Sequence, residues 1–483
     1  MTDWSHVADL FIDGSWVPAT GTGRLDVVDP ATEEVWGSVP QASATDLDGA
    51  VGAARRAFDQ GPWPTMSPSE RAEVLLRMAD EVEKRADALS RTNSRENGSP
   101  VAETAGAAAN AAGILRSVAG LAGHLEREDV RPFPDGINET LVRRDPVGVC
   151  ALIAPWNFPI NLVVIKLAPA LLAGCTTVIK PAETTPLSIR HVVEAAAAAG
   201  VPDGVVNLVT GDGLVGDALV RHPGVDKVAF TGSTGVGRRI AAACGELLRP
   251  VTLELGGKSA AIVLDDVDAE ELARVLIRTT MRNTGQTCYI STRILVPASR
   301  YEEIVDLVTE TVAAAPQGDP FDPETVFGPM ANRRQFEVVA ELLAGARAEG
   351  ARVTTGGGPR HDGPGWFIRP TVLADVTSDM TVATEEIFGP VVTVQRYHDV
   401  EEAIEIANST PFGLGGVVFS RDTARAQAVA ERVDSGSVGI NFFASNHSAP
   451  FGGRHDSGLG VEYGVEGLEE YVAFKSIHRR RSA

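Results

Sequence analysis

Residues 228–237 read Val-Ala-Phe-Thr-Gly-Ser-Thr-Gly-Val-Gly, and this segment decides the fold class. Val228 to Phe230 form a short apolar run that is typical of a buried strand, and Val236 to Cys244 have helical spacing. The intervening glycines allow a ligand to approach the backbone, and Ser233 can cap exposed amides that face a phosphate. A strand, a glycine turn and a helix in succession predict nucleotide binding.

Strands and helices alternate on both sides of this turn. Between residues 149 and 255, short apolar runs alternate with segments of helical periodicity, which predicts a doubly wound parallel sheet. A second alternation runs from residue 260 to residue 419 and predicts a second α/β lobe. Residues 45–121 have helical spacing and follow a stretch of short strands.

Composition and charge exclude several classes of protein. A chain of 483 residues is expected to form two or three lobes, and its formal charge of -21 argues against nucleic-acid or anionic-membrane partners. Lys166 and Pro169 interrupt an apolar stretch that is too short for a membrane span, and the start around Asp3 lacks a signal-peptide pattern. We therefore expect no membrane partner and a cytoplasmic location.

The cysteines limit the metal and redox chemistry. They lie at positions 150, 175, 244 and 288, without the paired spacing of a zinc site or a disulfide framework. We therefore expect no metal. Cys288 follows a predicted helix, but a lone cysteine is more often a small buried apolar residue than a nucleophile.

Two charged motifs occur at strand ends. Glu254 lies at the end of an apolar strand, where a carboxylate is expensive to bury, so it is a candidate general base; a salt bridge is the alternative. Lys180 and Glu183 follow another strand, at the edge where open α/β sheets bind ligands. Taken alone, this second motif is equally compatible with a solvated loop.

Seven motifs occur together and in a characteristic order, and they cover nearly the whole chain. They are Pro155-Trp156-Asn157-Phe158-Pro159, Lys180-Pro181-Ala182-Glu183, Phe230 to Gly237, Glu254-Leu255-Gly256-Gly257-Lys258, Gly285-Gln286-Thr287-Cys288, Glu385-Glu386-Ile387-Phe388-Gly389-Pro390 and Pro450-Phe451-Gly452-Gly453. In this combination the sequence resembles the aldehyde dehydrogenase superfamily. The resemblance implies oxidation of an aldehyde to a carboxylic acid with NAD(P)+.

The resemblance also implies catalytic roles. Cys288 matches the nucleophile that forms a thiohemiacetal, and the Asn157 amide with the Cys288 backbone N–H matches the oxyanion hole. Glu254 matches the general base that hydrolyses the thioester, and Lys166 and Glu462 match positions associated with a proton path behind it. Coenzyme A-acylating relatives typically lack this glutamate, so the hydrolysing branch is expected.

The expected cofactor is NAD, with NADP possible. The positions that match cofactor contacts are Pro155, Trp156, Lys180, Glu183, Gly232, Ser233, Leu255, Glu386 and Phe388. The two glutamates are expected at ribose hydroxyls, where Glu183 would repel a 2′-phosphate. Lys180, expected near the adenosine ribose, could partly offset that repulsion.

The implied fold class is α/β, with two Rossmann-like doubly wound lobes, one cofactor-binding and one catalytic, plus a small β oligomerisation arm. Residues 1–122 and 147–256 would form the dinucleotide-binding domain, and residues 257–448 the catalytic domain. Residues 123–146 and 466–483 would form the arm and a C-terminal strand. Such an arm predicts a homodimer or a homotetramer.

Phe158, Tyr289 and Phe443 are the predicted substrate-pocket residues. Tyr289 stands where relatives more often have a smaller side chain, so it should narrow the pocket mouth. Phe158, Phe442 and Phe443 suggest an apolar pocket, which favours medium-chain or aromatic aldehydes over small charged ones. Three alternatives are a non-catalytic relative, a different aldehyde enzyme that acylates coenzyme A or takes a phosphorylated aldehyde, and a cofactor-independent cysteine hydrolase that needs a histidine near Cys288.

Overall fold

A computed structural model describes residues 9–481 of the chain. Asp3, on which the prediction about the N-terminal segment rests, lies outside the described residues, as do the last two residues of the predicted C-terminal segment.

The N-terminal third contains two hairpins, a group of helices and two further strands that pair with each other. The elements are β1 (Asp9–Ile12), β2 (Ser15–Pro18), β3 (Arg24–Asp29), β4 (Glu34–Pro40), α1 (Ala44–Gln60), α2 (Pro68–Lys84), α3 (Ala86–Asn97), α4 (Val101–Thr104), α5 (Ala107–Ala119), α6 (Ala122–Glu126), β5 (Asp129–Pro132) and β6 (Asn138–Pro146). Capping boxes begin α1, with Ser43 and Asp46, and α2, with Ser67 and Glu70. Helices therefore fill residues 44–126, as the periodicity predicts.

The middle of the chain alternates strand and helix. The elements are β7 (Val149–Ile153), α7 (Pro159–Ala173), β8 (Thr176–Lys180), α8 (Leu187–Ala198), β9 (Val206–Leu208), α9 (Gly213–Arg221), β10 (Lys227–Thr231), α10 (Thr234–Glu246) and β11 (Val251–Glu254). Each predicted strand and helix of this region is confirmed, with ends that agree within three residues.

The last part of the chain contains a second alternation and a long terminal strand. The elements are β12 (Ala260–Val263), α11 (Ala269–Thr280), β13 (Arg293–Pro297), α12 (Tyr301–Ala314), α13 (Arg333–Ala348), β14 (Arg352–Thr355), β15 (Thr371–Ala374), α14 (Thr381–Thr384), β16 (Val391–Tyr397), α15 (Val400–Ala407), β17 (Phe412–Gly413), β18 (Gly416–Phe419), α16 (Thr423–Ala430), β19 (Gly439–Ile440), β20 (Arg454–His455), β21 (Gly458–Leu459), α17 (Gly464–Glu469) and β22 (Val472–Arg480).

The first large sheet has the order β2-β1-β9-β8-β7-β10-β11-β21. Its five central strands, β9, β8, β7, β10 and β11 in sheet order, are parallel. The chain winds outward from β7 in both directions. Strands β7, β8 and β10 are fully buried. Helices α1, α7 and α8 pack on the sheet and exclude water from its two faces. The winding direction changes between β7 and β10, and ligands of such sheets bind at that point.

The second sheet has the order β14-β15-β16-β13-β12-β18-β19, and it is parallel except at the β14–β15 edge. Gly257 lies between β11 of the first sheet and β12 of the second. The predicted α/β class with two doubly wound lobes is confirmed, although α13, β14, β15 and the helices α14 to α16 were not predicted individually. The domain boundaries themselves stay a prediction.

A third, small sheet forms the predicted arm. Strand β22 pairs with β6 over nine residues, and β6 pairs with β5. The C-terminal strand therefore belongs to the same sheet as β5 and β6, although it lies far from them in the sequence. Within residues 9–481, no helix combines the length and apolar character that crossing a membrane requires, and no cluster of side chains is suited to a metal ion.

Candidate active site

A crevice opens where the winding of the first sheet changes direction. Pro155 and Trp156 follow the carboxyl end of β7, and Gly232 and Ser233 follow that of β10. Ser233 is the N-cap residue of α10, but its hydroxyl makes no capping hydrogen bond. The predicted cap is therefore absent, and the first amides of the helix are left for a ligand.

This crevice contains a cavity of about 280 Å³. Seven of the nine predicted cofactor residues line it: Pro155, Trp156, Gly232, Ser233, Leu255, Glu386 and Phe388. The ring of Trp156 packs edge to face on that of Phe388, with centroids 5.3 Å apart. Burial raises the pKa of Glu386 to about 7 and the N–H of Gly257 donates to its carboxylate at 3.0 Å.

The other two predicted cofactor residues lie outside this cavity: Lys180 ends the neighbouring strand β8, and Glu183 follows that strand. Lys180 is buried, and its ammonium donates to the carbonyl oxygens of Pro181 at 2.7 Å and Gly211 at 2.9 Å. Glu183 is exposed. The ammonium of Lys180 is thus bound by two backbone carbonyl groups, whereas the carboxylate of Glu183 beside it faces solvent.

Cys288 ends a tight loop that follows α11. Asn283, Thr284 and Gly285 have positive φ, and a Cβ on Gly285 would come within 1.8 Å of the carbonyl oxygen of Gly389. Glycine is therefore required there, because the Cys288 loop packs directly on the loop that holds Glu386. The Cys288 thiol is free and partly exposed, and it lines the same cavity as the predicted cofactor residues.

Asn157 is held beside this loop by three amide contacts. Its Nδ2 donates to the carbonyl oxygen of Gln286 at 3.0 Å, and its own carbonyl oxygen accepts from Asn283 Nδ2 at 3.1 Å. Asn97 also donates to that carbonyl oxygen, at 3.4 Å. Because an amide nitrogen carries two hydrogens, these contacts leave one side-chain N–H of Asn157 unused.

Glu254 is the last residue of β11, and it is buried. Neither carboxylate oxygen makes a hydrogen bond of normal geometry with a described residue, although the backbone N–H of Gly453 is close enough to lower the pKa of the group. Burial and the nearby carboxyl group of Glu462 raise the pKa of Glu254 well above its ordinary value, against the lowering influence of Lys166. An unpaired carboxyl group in such a place is positioned to exchange a proton.

A buried lysine lies behind Glu254. The ammonium of Lys166 donates to Glu462 at 2.5 Å and to the hydroxyl of Thr231 at 2.6 Å. Thr231 is the residue on β10 that stands beside Glu254 in the parallel pairing of β10 and β11. The structure therefore brings together the three residues predicted for base and proton transfer, and Thr231 joins them.

The surroundings of the Cys288 thiol disfavour its thiolate. Burial and the carboxyl groups of Glu386 and Glu254 raise the pKa of Cys288 above its ordinary value. Because the thiolate is the nucleophile, any reaction that starts from Cys288 should accelerate as pH rises.

A second cavity, of about 260 Å³, contains the three predicted substrate residues. Phe158, Tyr289 and Phe443 line it, and the rings of Tyr289 and Phe443 stack at 4.9 Å. Tyr463 lines the same cavity, and Phe451 packs edge to face on both tyrosines. The aromatic rings form one part of the cavity wall, and polar side chains, among them Asn110, Asn161 and Arg282, form much of the rest.

Several residues at the site were not predicted. Gln335 and Val338 line the first cavity from α13, and Glu103 and Arg282 line the second. Helix α13 had a detectable signal, since Asn332 caps it and apolar residues recur at three- and four-residue spacing. Glu103 and Arg282 had none, because 179 residues separate them.

The fold and the crevice define an α/β enzyme of the dinucleotide-binding type with a cysteine-centred site. The family model described as "Aldehyde dehydrogenase family" matches residues 16–477. The chain belongs to the aldehyde dehydrogenase family, and the predicted resemblance is confirmed. Members of this family are NAD(P)+-dependent oxidoreductases that convert aldehydes to acids.

Individual relatives cover nearly the whole chain. A geranial dehydrogenase of Castellaniella defragrans is 48% identical over 471 residues, which are 97% of this chain and 98% of the relative. A Mycobacterium tuberculosis aldehyde dehydrogenase complexed with NAD+ is 42% identical, with a TM-score of 0.95 and 98% of both chains covered. A mutant of aldehyde dehydrogenase C from Pseudomonas syringae, complexed with NAD+ and octanal, is 40% identical, with a TM-score of 0.94 and 98% and 96% covered.

Proposed function

We propose that this protein oxidises apolar medium-chain or aromatic aldehydes to carboxylic acids with NAD+, through a thioester on Cys288. One observation carries the proposal. Asn157 and Cys288 line the first cavity, while their neighbours in sequence, Phe158 and Tyr289, line the second. The Cys288 thiol and the Asn157 amide therefore lie at the boundary between the first cavity, which contains the predicted cofactor residues, and the second cavity, which contains the predicted substrate residues.

In the first step the Cys288 thiolate adds to the aldehyde carbon. An S–C bond forms, and the carbonyl oxygen becomes an oxyanion that accepts hydrogen bonds from the free N–H of Asn157 and from the backbone N–H of Cys288. The removal of one such donor typically costs about 3 to 4 kcal/mol of barrier. Bound NAD+ supplies the acceptor for the hydride that then leaves this carbon, and the product is a thioester.

In the second step a water molecule attacks the thioester. Glu254 takes a proton from the water, the new C–O bond forms, and the C–S bond breaks to release the acid and the thiolate. Lys166 and Glu462 then have the donors and acceptors to pass that proton along the buried hydrogen bonds beside β10. A base with a raised pKa suits this role, because it binds the proton readily at neutral pH.

The residues present fit NAD+ better than NADP+. The crevice offers the exposed amides of α10, the aromatic pair Trp156–Phe388 and the Glu386 carboxylate. The exposed carboxylate of Glu183 next to the crevice disfavours a 2′-phosphate, while Lys180 is engaged by two carbonyl oxygens and offers it little compensation. We expect NADP+ to serve as a weaker substitute.

A substrate panel tests the proposal. With NAD+, octanal, geranial and benzaldehyde are expected to give a kcat/KM at least about tenfold above that of succinic semialdehyde, because apolar contacts stabilise only the uncharged chains. The measurement is NADH absorbance, with the acid identified as product. A preference for the charged semialdehyde, or acyl-coenzyme A as the product when coenzyme A is present, would contradict the proposal.

We also propose that the protein acts as a homodimer or homotetramer in the cytoplasm. The arm carries exposed apolar side chains, among them Phe474 on β22 and Phe133 and Ile137 in the turn between β5 and β6, and such side chains are normally covered in an assembly. The four free cysteines fit a reducing compartment. Analytical ultracentrifugation of the purified protein is expected to give two or four times the mass of the chain, and a monomer at micromolar concentration would refute the assembly.

A further inference from the structure

The guanidinium of Arg282 contacts three other residues that line the second cavity. Its Nε donates to a carboxylate oxygen of Glu103 at 2.7 Å, and its Nη2 donates to the same oxygen. Its Nη1 donates to the phenol oxygen of Tyr289 at 2.6 Å, and its centre lies 5.2 Å from the ring centroid of Phe158. Arg282 therefore touches the residue after the nucleophile and the residue after the oxyanion donor.

The backbone of Arg282 belongs to the loop that shapes the nucleophile. Its carbonyl oxygen accepts from the N–H of Gly285 at 3.1 Å and from the hydroxyl of Thr287 at 3.1 Å. Glu103, by contrast, lies on α4, in the part of the chain that precedes the parallel strands of the first sheet. The ion pair thus links the helical N-terminal region to the Cys288 loop.

Charge in this cavity is unevenly distributed. The carboxylate and guanidinium groups that line it are those of Glu103, Arg278 and Arg282. Arg278 is exposed on α11, where solvent and salt screen its charge. Arg282 is only partly exposed, and its donors are directed at Glu103 and Tyr289. A substrate in the cavity therefore meets a cation that is already neutralised.

We propose that Glu103 masks Arg282 and that this pair sets the substrate charge selectivity of the enzyme. With Glu103 in place, Arg282 acts as a positioning residue that holds the Tyr289 ring against Phe443. Without the Glu103 charge, the same guanidinium would bind the far carboxylate of an anionic aldehyde, since a forked guanidinium suits a carboxylate. This inference rests on the proposed function, which places the aldehyde in this cavity.

The test is the ratio of kcat/KM for an ω-carboxy aldehyde to that for the alkanal of the same chain length. Glu103→Gln keeps the shape of the side chain and removes its charge, and we expect it to raise this ratio about tenfold, mainly through KM for the anionic aldehyde. A general loosening of the structure would lower both rates together and leave the ratio unchanged.

A double variant separates the guanidinium from other effects. In Glu103→Gln combined with Arg282→Leu, the gain should disappear, because no cation remains to bind the carboxylate. Tyr289→Phe removes only the phenol oxygen and leaves the ion pair intact, so its ratio should stay at the wild-type value. A gain that survives the loss of Arg282 would overturn the proposal.

A matched control is Glu401→Gln, which breaks the exposed two-contact ion pair with Arg432 far from the cavity. Its ratio should equal that of the wild type. If Glu103→Gln is insoluble, Glu103→Asp withdraws the carboxylate from the guanidinium and should raise the ratio by a smaller factor. Activity on alkanals with an unchanged ratio refutes this inference alone, whereas failure of the wild type to oxidise any aldehyde refutes the proposed function and this inference together.

Discussion

Cys288→Ala is expected to lower kcat for aldehyde oxidation by at least about 10⁴-fold, because loss of a nucleophile removes the covalent pathway and leaves only binding and the oxyanion donors. Alanine keeps the Cβ and the backbone N–H, so the loop around Gly285 has no reason to move. NADH formation from NAD+ and octanal measures the loss.

The control for this variant is Cys244→Ala. Cys244 is a buried cysteine on α10 that lines neither cavity of the site. The same chemical change there should leave turnover near the wild-type value. Quenching of tryptophan fluorescence by NAD+, with Trp156 in the crevice, should be retained in Cys288→Ala. Turnover that survives in that variant would refute Cys288 as the nucleophile.

The central strands of the first sheet could be predicted from the sequence because they are short and buried, with apolar residues at their centres. Strands β7, β8 and β10 are buried throughout and lie between helices of clear periodicity. The glycine turn after β10 then located the crevice, since such turns lie at the carboxyl ends of parallel strands. Helix α13 has a weaker apolar stripe with many charges, and it was missed even though Gln335 and Val338 line the cofactor cavity.

The side-chain environment of the site could not be predicted in the same way. The sequence places Lys180 at a ligand-binding edge, but the carbonyl groups that hold its ammonium come from two loops whose approach depends on tertiary packing. Likewise, Glu103 and Arg282 are ordinary charged residues until the fold brings them into contact. Local patterns identify chemical groups, whereas long-range contacts decide whether a charge is free or neutralised.

The role of Glu254 is inferred from the local sequence and from long-range contacts together. The sequence shows a carboxylate at an apolar strand end, and the structure shows that its oxygens make no hydrogen bond of normal geometry with a described residue. A group placed so expensively contributes little to stability, because burial without a partner costs free energy. Its presence is better explained by the hydrolysis step, in which its raised pKa lets it accept a proton from water.

Glu254→Gln is therefore expected to separate the two halves of the reaction. Thiol addition and hydride transfer do not need this base, so rapid mixing should still give a burst of about one NADH per active site. Steady-state turnover should fall by about 10²- to 10⁴-fold, because the thioester then waits for unassisted water. Mass spectrometry should detect the acyl group on Cys288.

The pH dependence of the steady-state rate tests independently whether Glu254 acts in the hydrolysis step. Hydrolysis needs deprotonated Glu254, and a raised pKa moves the rising limb of the steady-state rate of the wild type to higher pH. Glutamine does not titrate, so the limb that belongs to hydrolysis should be absent from the variant. Glu466→Gln, the same change at an exposed position on α17, should keep both the rate and the limb. A burst lost together with turnover would instead place Glu254 in activation of the thiol, because only a base needed before hydride transfer can abolish the first NADH.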